Sequence, residues 1–334
     1  MGQALPPRLP SFMFSPRNAV LIHVLIWGSL STFSAAQAAK KPATNGPSSA
    51  ERAVSMAQSG RCKEALPLLK QETLHASDKD SKRIVGFAGV RCAMFTDQID
   101  AAEDFLRFLN HEFPHDPDVL YLSVHTYSDL SSRAAAELAA TAPKSPQGHE
   151  LNAEALEAQG KWDEAAKEYR LILQQNPRMP GIHFRLGRLL LSKPNPSPTV
   201  AEEAKKEMLQ ELDIDPSNAD AEYVLGALAQ QSQQWDEAIQ HFARASKLDP
   251  GFGDAFVGLG STLGSAKRYS EAIAPLETAI KLEPQNPTPH YLLAIAYNRT
   301  GRKEDGDKQF AIQRQLTQKG AAGEDNSQSQ SKPN

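Results

Sequence analysis

The sequence predicts an all-α protein, an α-solenoid of about eight helical hairpins. Three observations predict it. Prolines at 143, 177, 216, 250 and 284 lie 34, 39, 34 and 34 residues apart. Twelve residues before four of them stand the small residues Ala165, Ala204, Ala238 and Ala272. Between these marks apolar residues recur at helical spacing. In 217–250 they are Ala221, Leu225 and Leu228, then Ala238, Phe242 and Ala245. Ser217 or Asn218 can cap the first helix of that unit, since a short side-chain oxygen accepts an orphan N–H. Asp236 and Glu237 open the second, where the helix dipole favours negative charge. Pro250 closes the unit, because proline has no N–H for the next helical bond.

Taken in order, residues 1–38 read as an export signal. Arg8 and Arg17 precede an uncharged run from Asn18 to Ala39, most apolar over Ala19 to Phe33. That core is long for a signal and short for a membrane span. Ala36-Gln37-Ala38 is a small-x-small site, which places cleavage between Ala38 and Ala39. The competing reading keeps the segment as an uncleaved anchor. Residues 39–49 read as a flexible mature N-terminus. Residues 50–145 hold three looser hairpins. The first carries Gly60, Ala65 and Leu69, and the second carries Gly89, Ala101 and Phe105. The third spans Asp118 to Ala142, with a turn trimmed near Asp129–Leu130. Residues 146–316 hold the regular array. Its fourth hairpin has Gly160, Trp162, Ala165 and Tyr169, and its fifth has Leu186-Gly187 and Ala204. Five extra residues of the fifth fall in the proline-rich Lys193–Thr199 loop. The seventh has Gly260 and Ala272. The eighth puts Gly306 where alanine is expected. Residues 317–334 carry Gly, Ser, Gln and charge, and read as a disordered tail.

The period, the small residues at the helix crossing and the closing prolines resemble the tetratricopeptide repeat family over roughly residues 50–316. The signal adds a resemblance to exported bacterial members of it. The resemblance implies a right-handed superhelix that binds partners and performs no chemistry. It implies a periplasmic or secreted envelope scaffold or adaptor. A membrane-anchored structural subunit of an assembly or secretion complex is the alternative if the N-terminal segment is kept. In the family the first helix of each hairpin lines the inner groove. Carried across, the most used position falls on Tyr121, Glu150, Phe184, Tyr223, Val257 and Tyr291. One turn on come His125, Glu154, Arg188, Ala227, Ser261 and Ile295. These residues imply a protein or peptide partner, with Glu154 and Arg188 pairing across neighbouring hairpins. The lysine-and-asparagine carboxylate clamp of chaperone-binding relatives is absent at these positions.

Composition narrows the function classes. The net charge is −4, and loss of Arg8 and Arg17 with the signal leaves 34 basic and 40 acidic residues. Nucleic acid as the partner needs a basic surface. No feature points to a small-molecule substrate, a cofactor or a resident metal. His111-Glu112-Phe113-Pro114-His115 matches the zinc-peptidase letters H-E-x-x-H, the one enzymatic alternative. That chemistry needs both histidines on one helix face, and Pro114 breaks the helix between them. Gly258 to Gly264 is glycine-rich but is followed by Ser265, where a phosphate loop has lysine. Cys62 and Cys92 are the only cysteines. They fall on helices expected to be antiparallel neighbours, so they form a disulfide in an oxidising compartment or remain two buried thiols.

Overall fold

The computed structural model describes residues 48–194 and 198–329. The expected signal, its cleavage site at Ala38–Ala39 and most of the flexible 39–49 stretch lie outside them. All secondary structure among the described residues is helical. The chain divides into two compact units, with the boundary between Pro143 and Lys144.

The first unit contains α1 (Ser49–Gln58), α2 (Cys62–His75), α3 (Lys79–Phe95), α4 (Ile99–Glu112) and α5 (Pro117–Thr141). Ser48 and Glu51 form a reciprocal capping box that starts α1. Helices α1/α2 and α3/α4 are hairpins around a core that includes Ala53, Ala65, Leu69, Val85, Ala102, Phe105, Leu106 and Leu109. Cys62 and Cys92 are joined by a disulfide with their Cα atoms 4.8 Å apart. It ties the start of α2 to the later part of α3.

Two expectations fail in this unit. The third hairpin does not exist, because 118–142 is spanned by the single helix α5 with no turn at Asp129–Leu130. The reason is local. Residues 118–141 contain no Gly, Pro or Asn, and Ala134, Ala135, Ala136, Ala139 and Ala140 favour helix. The Asp129 carboxylate instead accepts from Arg133 one turn on, at 3.0 Å. The array therefore comprises seven hairpins and one lone helix among the described residues, not eight hairpins. In the second hairpin the small residue at the crossing is one position later than expected. Ala102 is fully buried, whereas Ala101 is only partly so. Gly89 and Phe105 do meet closely, as expected, so only the small residue of the second helix is displaced, from Ala101 to Ala102.

The second unit is five consecutive hairpins. They are α6 (Pro146–Ala158) with α7 (Trp162–Gln175), α8 (Ile182–Ser192) with α9 (Pro198–Ile214), and α10 (Ala219–Gln231) with α11 (Trp235–Leu248). Then follow α12 (Gly253–Ser265) with α13 (Tyr269–Leu282), and α14 (Pro287–Arg299) with α15 (Lys303–Ser329). Where two helices cross, a residue without a side chain faces a large one. A Cβ on Gly226 would lie 2.9 Å from the Phe242 ring, and one on Gly187 would lie 2.7 Å from Met208. Gly260 meets Leu276 in the same way, so packing accounts for that glycine of the 258–264 run, which lies within α12. Gly306, the anomaly of the last hairpin, has a reason too. A Cβ there would come within 3.0 Å of the Ala294 carbonyl oxygen, so α14 and α15 cross too closely for alanine. α15 also overruns the expected disordered tail, staying helical to Ser329. Gln, Lys, Glu and Ala in that stretch favour helix without supplying an apolar face; residues 330–334 lie outside the described set.

Each regular turn places one residue in the left-handed region, five positions before the small residue of the second helix. Gly160 (φ +72°) and Gly301 (φ +84°) suit it. Gln233 (φ +60°) and Lys267 (φ +63°) adopt it with a side chain, at a steric cost. Lys267→Gly should therefore stabilise the second unit by about 0.5–1 kcal/mol, read as a higher urea midpoint. A lower midpoint would mean that the side chain supports the turn in some other way.

Candidate functional site

The first helices of the five hairpins, α6, α8, α10, α12 and α14, carry the equivalent positions singled out from the sequence. Two kinds of interaction fix how these helices are presented. The first is a recurring clasp between the two helices of a hairpin. The Nδ1–H of His149 donates to Glu168, that of His183 to Glu207 and that of His290 to Gln309, each at 2.6 Å. In the α10/α11 hairpin the partners are exchanged, and His241 on the second helix donates to Glu222 on the first, again at 2.6 Å. These four histidines act as intra-hairpin struts.

The second is a cap supplied by a neighbouring helix. α8 begins at Gly181 without a side-chain cap of its own. The Glu211 carboxylate, from the end of α9 and 1% exposed, accepts from the amides of Gly181 at 2.8 Å and Phe184 at 3.2 Å. The positive end of the helix dipole makes that buried charge tolerable. Glu211 stands where other hairpins have Ala245 and Ala279, and that departure was the available signal. Glu211→Ala leaves two partly buried amides without their acceptor and should cost about 2 kcal/mol. A chemical-denaturation midpoint equal to the parent's would refute the cap.

Upon this framework the expected groove residues fare differently. Glu150 and Glu154 both pair with Arg185, at 3.1 and 2.6 Å, and Arg188 pairs with Glu157 at 2.9 Å. The expected Glu154–Arg188 pair is thus replaced by two pairs, each shifted by one helical turn. Glu157 also accepts from the buried Tyr169 hydroxyl at 2.7 Å, and burial followed by that carboxylate pushes the phenol far above its usual range. Phe184 is half-buried against the cluster of Met208, Ala221 and Leu225. Tyr223 is half-buried too, its ring 5.5 Å from Phe242 and 5.0 Å from Phe252. Burial first, then Asp254, pushes its phenol up to about 12. Tyr223 is therefore partly a packing residue, and its truncation cannot leave the fold untouched. Val257 is half-buried, and Tyr291 is 48% exposed, edge-on to Phe310 at 5.9 Å. Tyr121 is 68% exposed beside His125. It lies on α5 in the first unit and is not part of this set.

Two residues missed from the sequence sit in the first turns of α10 and α12, one turn before Tyr223 and Val257. They are Asp220 and Asp254. Desolvation first, and then a second carboxylate, holds each above the usual range; the second group is Asp249 for Asp220 and Glu283 for Asp254. The sequence signal was the acidic residue repeated 34 positions apart at the same place in successive hairpins.

The zinc motif does not assemble. α4 ends at Glu112, so His115 lies beyond the helix that carries His111. Glu112 is held by Lys82 at 2.7 Å. Among the described residues no three His, Cys, Asp or Glu side chains are grouped to hold a metal.

A family profile described as "Tetratricopeptide repeat" matches residues 153–189, and one described as "TPR repeat" matches residues 265–301. No curated protein matched the sequence. Among solved structures, MamA is 22% identical with a TM-score of 0.47, over 51% of this chain and 96% of its own. YrrB, described as a TPR protein with an unusual peptide-binding site, is 17% identical with a TM-score of 0.47, over 55% and 92%. MamA from residue 41 to its end, from Desulfovibrio magneticus RS-1, is 16% identical with a TM-score of 0.47, over 52% and 96%.

Proposed function

Because the chain carries tetratricopeptide repeats, we propose that it is a non-enzymatic scaffold of the cell envelope that holds a protein or peptide along the first-helix face of residues 144–329. One observation carries this reading. In five successive hairpins the side chains at one equivalent position stay accessible, from Glu150 through Tyr223 to the half-exposed Tyr291. Large rigid aromatics at such places are effective anchors for an extended chain. The second helices, by contrast, place their small residues and Phe242, Leu276 and Met208 inward as core.

Export rests on the N-terminal sequence and is consistent with a disulfide between the two cysteines. Cleavage after Ala38 would release a mature chain beginning at Ala39; N-terminal sequencing of envelope protein decides between this and the anchored form. The binding face is tested by photo-crosslinking in the native cells. A photoreactive residue at Tyr291 should capture a discrete partner, whereas one at the exposed Lys247 of α11 should not. Capture at Lys247 alone would move the partner to the second-helix side.

A further inference from the structure

We propose that the uncovered face of α5 is a dimerisation seam, against which a second copy of this chain lays its own α5 antiparallel. The inference is independent of the groove in the second unit.

α5 has no second helix of its own, and one side of it is packed. Val119 and Leu122 join the core of the first unit, and the side-chain amide of Asn110 on α4 donates to the Ser123 hydroxyl at 3.0 Å. Thr126 is buried on the same side. Another side carries Leu120, Val124, Tyr127, Ser131, Ala134 and Leu138. Their spacing alternates between four and three residues, as in the seam of a two-stranded coiled coil. Leu120, Val124 and Tyr127 are 46, 66 and 51% exposed, so the bulky half of the seam is an apolar patch open to solvent. No Asp, Glu, Lys or Arg stands on the seam. Asp129, Arg133 and Glu137 recur every four residues away from it. Arg133 pairs there with Asp129 at 3.0 Å and with Asp97 at 2.6 Å.

The seam contains its own complement. Its N-terminal half is bulky, and its C-terminal half begins with Ser131 and Ala134. A two-fold axis beside residue 129 places Leu120 of one copy against Leu138 of the other, Val124 against Ala134, and Tyr127 against Ser131. Each pairing occurs twice, as an isologous contact requires. Tyr127 and Val124 then fill the space that Ser131 and Ala134 leave, and the leucines close the ends. A parallel pair would set Tyr127 on Tyr127 and Ala134 on Ala134, crowding one layer and leaving a void in another. With no charge on the seam, nothing on it repels a second copy, and antiparallel helices oppose their dipoles favourably. Tyr121, whose ring lies 4.2 Å from that of His125, flanks the seam and is covered with it. The paired stretch runs over about 27 Å of helix at 1.5 Å per residue. That is a strip at the small end of specific interfaces, so dimerisation in the micromolar range is expected.

Sedimentation velocity of the purified full chain tests the seam. The parent should pass from monomer to dimer over micromolar concentrations. Val124→Glu puts a carboxylate into an apolar layer twice per dimer and should weaken dimerisation by about 30-fold. Ala134→Lys should weaken it as well. Both positions are exposed in the single chain, so each variant should melt with the dilute parent. The decisive sample carries both changes. Residues 124 and 134 lie about 15 Å apart along one helix and cannot pair within it. Across the antiparallel seam each glutamate faces a lysine, and dimerisation should recover. A parent that stays monomeric throughout that range overturns the proposal. So does a dimer indifferent to Val124→Glu, which is assembled through another surface. Failure of the double variant to recover overturns the antiparallel pairing. A monomeric parent that captures a different protein through a photoreactive residue at Tyr127 gives the face to that protein instead.

Discussion

Replacing Cys62 and Cys92 together by alanine should destabilise the first unit by about 3–4 kcal/mol. The bridge spans 30 residues, and closing a loop of that length removes much of the unfolded chain's freedom. Both side chains are buried, at 5% and 0% exposure, so the reduced thiols would remain in the core and alanine is the least disruptive substitute. The unit contains two hairpins and a lone helix, α5, that leaves Leu120, Tyr121, Val124 and Tyr127 exposed. Denaturation of the oxidised parent and the double variant should differ by that amount, and adding reductant to the parent should reproduce most of the difference. A parent indifferent to reductant would show that the bridge does not hold the unit.

Ala238→Leu should destabilise the α10/α11 hairpin by about 1–3 kcal/mol. Ala238 is completely buried, in a cluster with Ala229 and Phe242 that Tyr223 and Leu259 pack against. A branched side chain there must push α10 from α11. Because each hairpin rests on its neighbours, the loss should spread to α9 and α12 before the ends of the unit respond. Hydrogen exchange should show amides of 205–265 losing protection first. Unchanged protection at those amides would mean that the crossing tolerates the added volume.

The fold was legible wherever the sequence marks a geometric necessity. Helices cross closely only over small residues, so Gly226, Gly260, Ala238 and Ala272 announced their places. Pro250 and Pro284 announced the ends. Legibility failed where a mark was absent or duplicated. Residues 118–141 carry no Gly, Pro or Asn, and the assumption of a constant period imposed a hairpin on what is one helix. In the second repeat Gly89 was placed correctly against Phe105, but two adjacent alanines offered themselves for the crossing and Ala102, not Ala101, fills it. The candidate site was less legible than the fold. Its equivalent positions could be counted, but which side chains remain available depends on pairings across hairpins that counting does not give. Glu154 found Arg185 instead of Arg188 for this reason. Asp220 and Asp254 were overlooked because their environment is made by Asp249 and Glu283, each 29 residues further on. Glu211 was overlooked because its partners are backbone amides.

The most direct test of the central claim is the affinity of Tyr291→Ala for the partner captured on the native face, measured beside its melting curve. Tyr291 is half-exposed on α14 and outside the buried clusters, so its truncation should leave the melting temperature within about a degree of the parent. If the partner lies along the first helices, affinity should fall by roughly 30-fold, the effect of losing an anchor worth about 2 kcal/mol. Undiminished affinity with an unchanged melting curve would contradict the account and place the binding surface elsewhere on the chain.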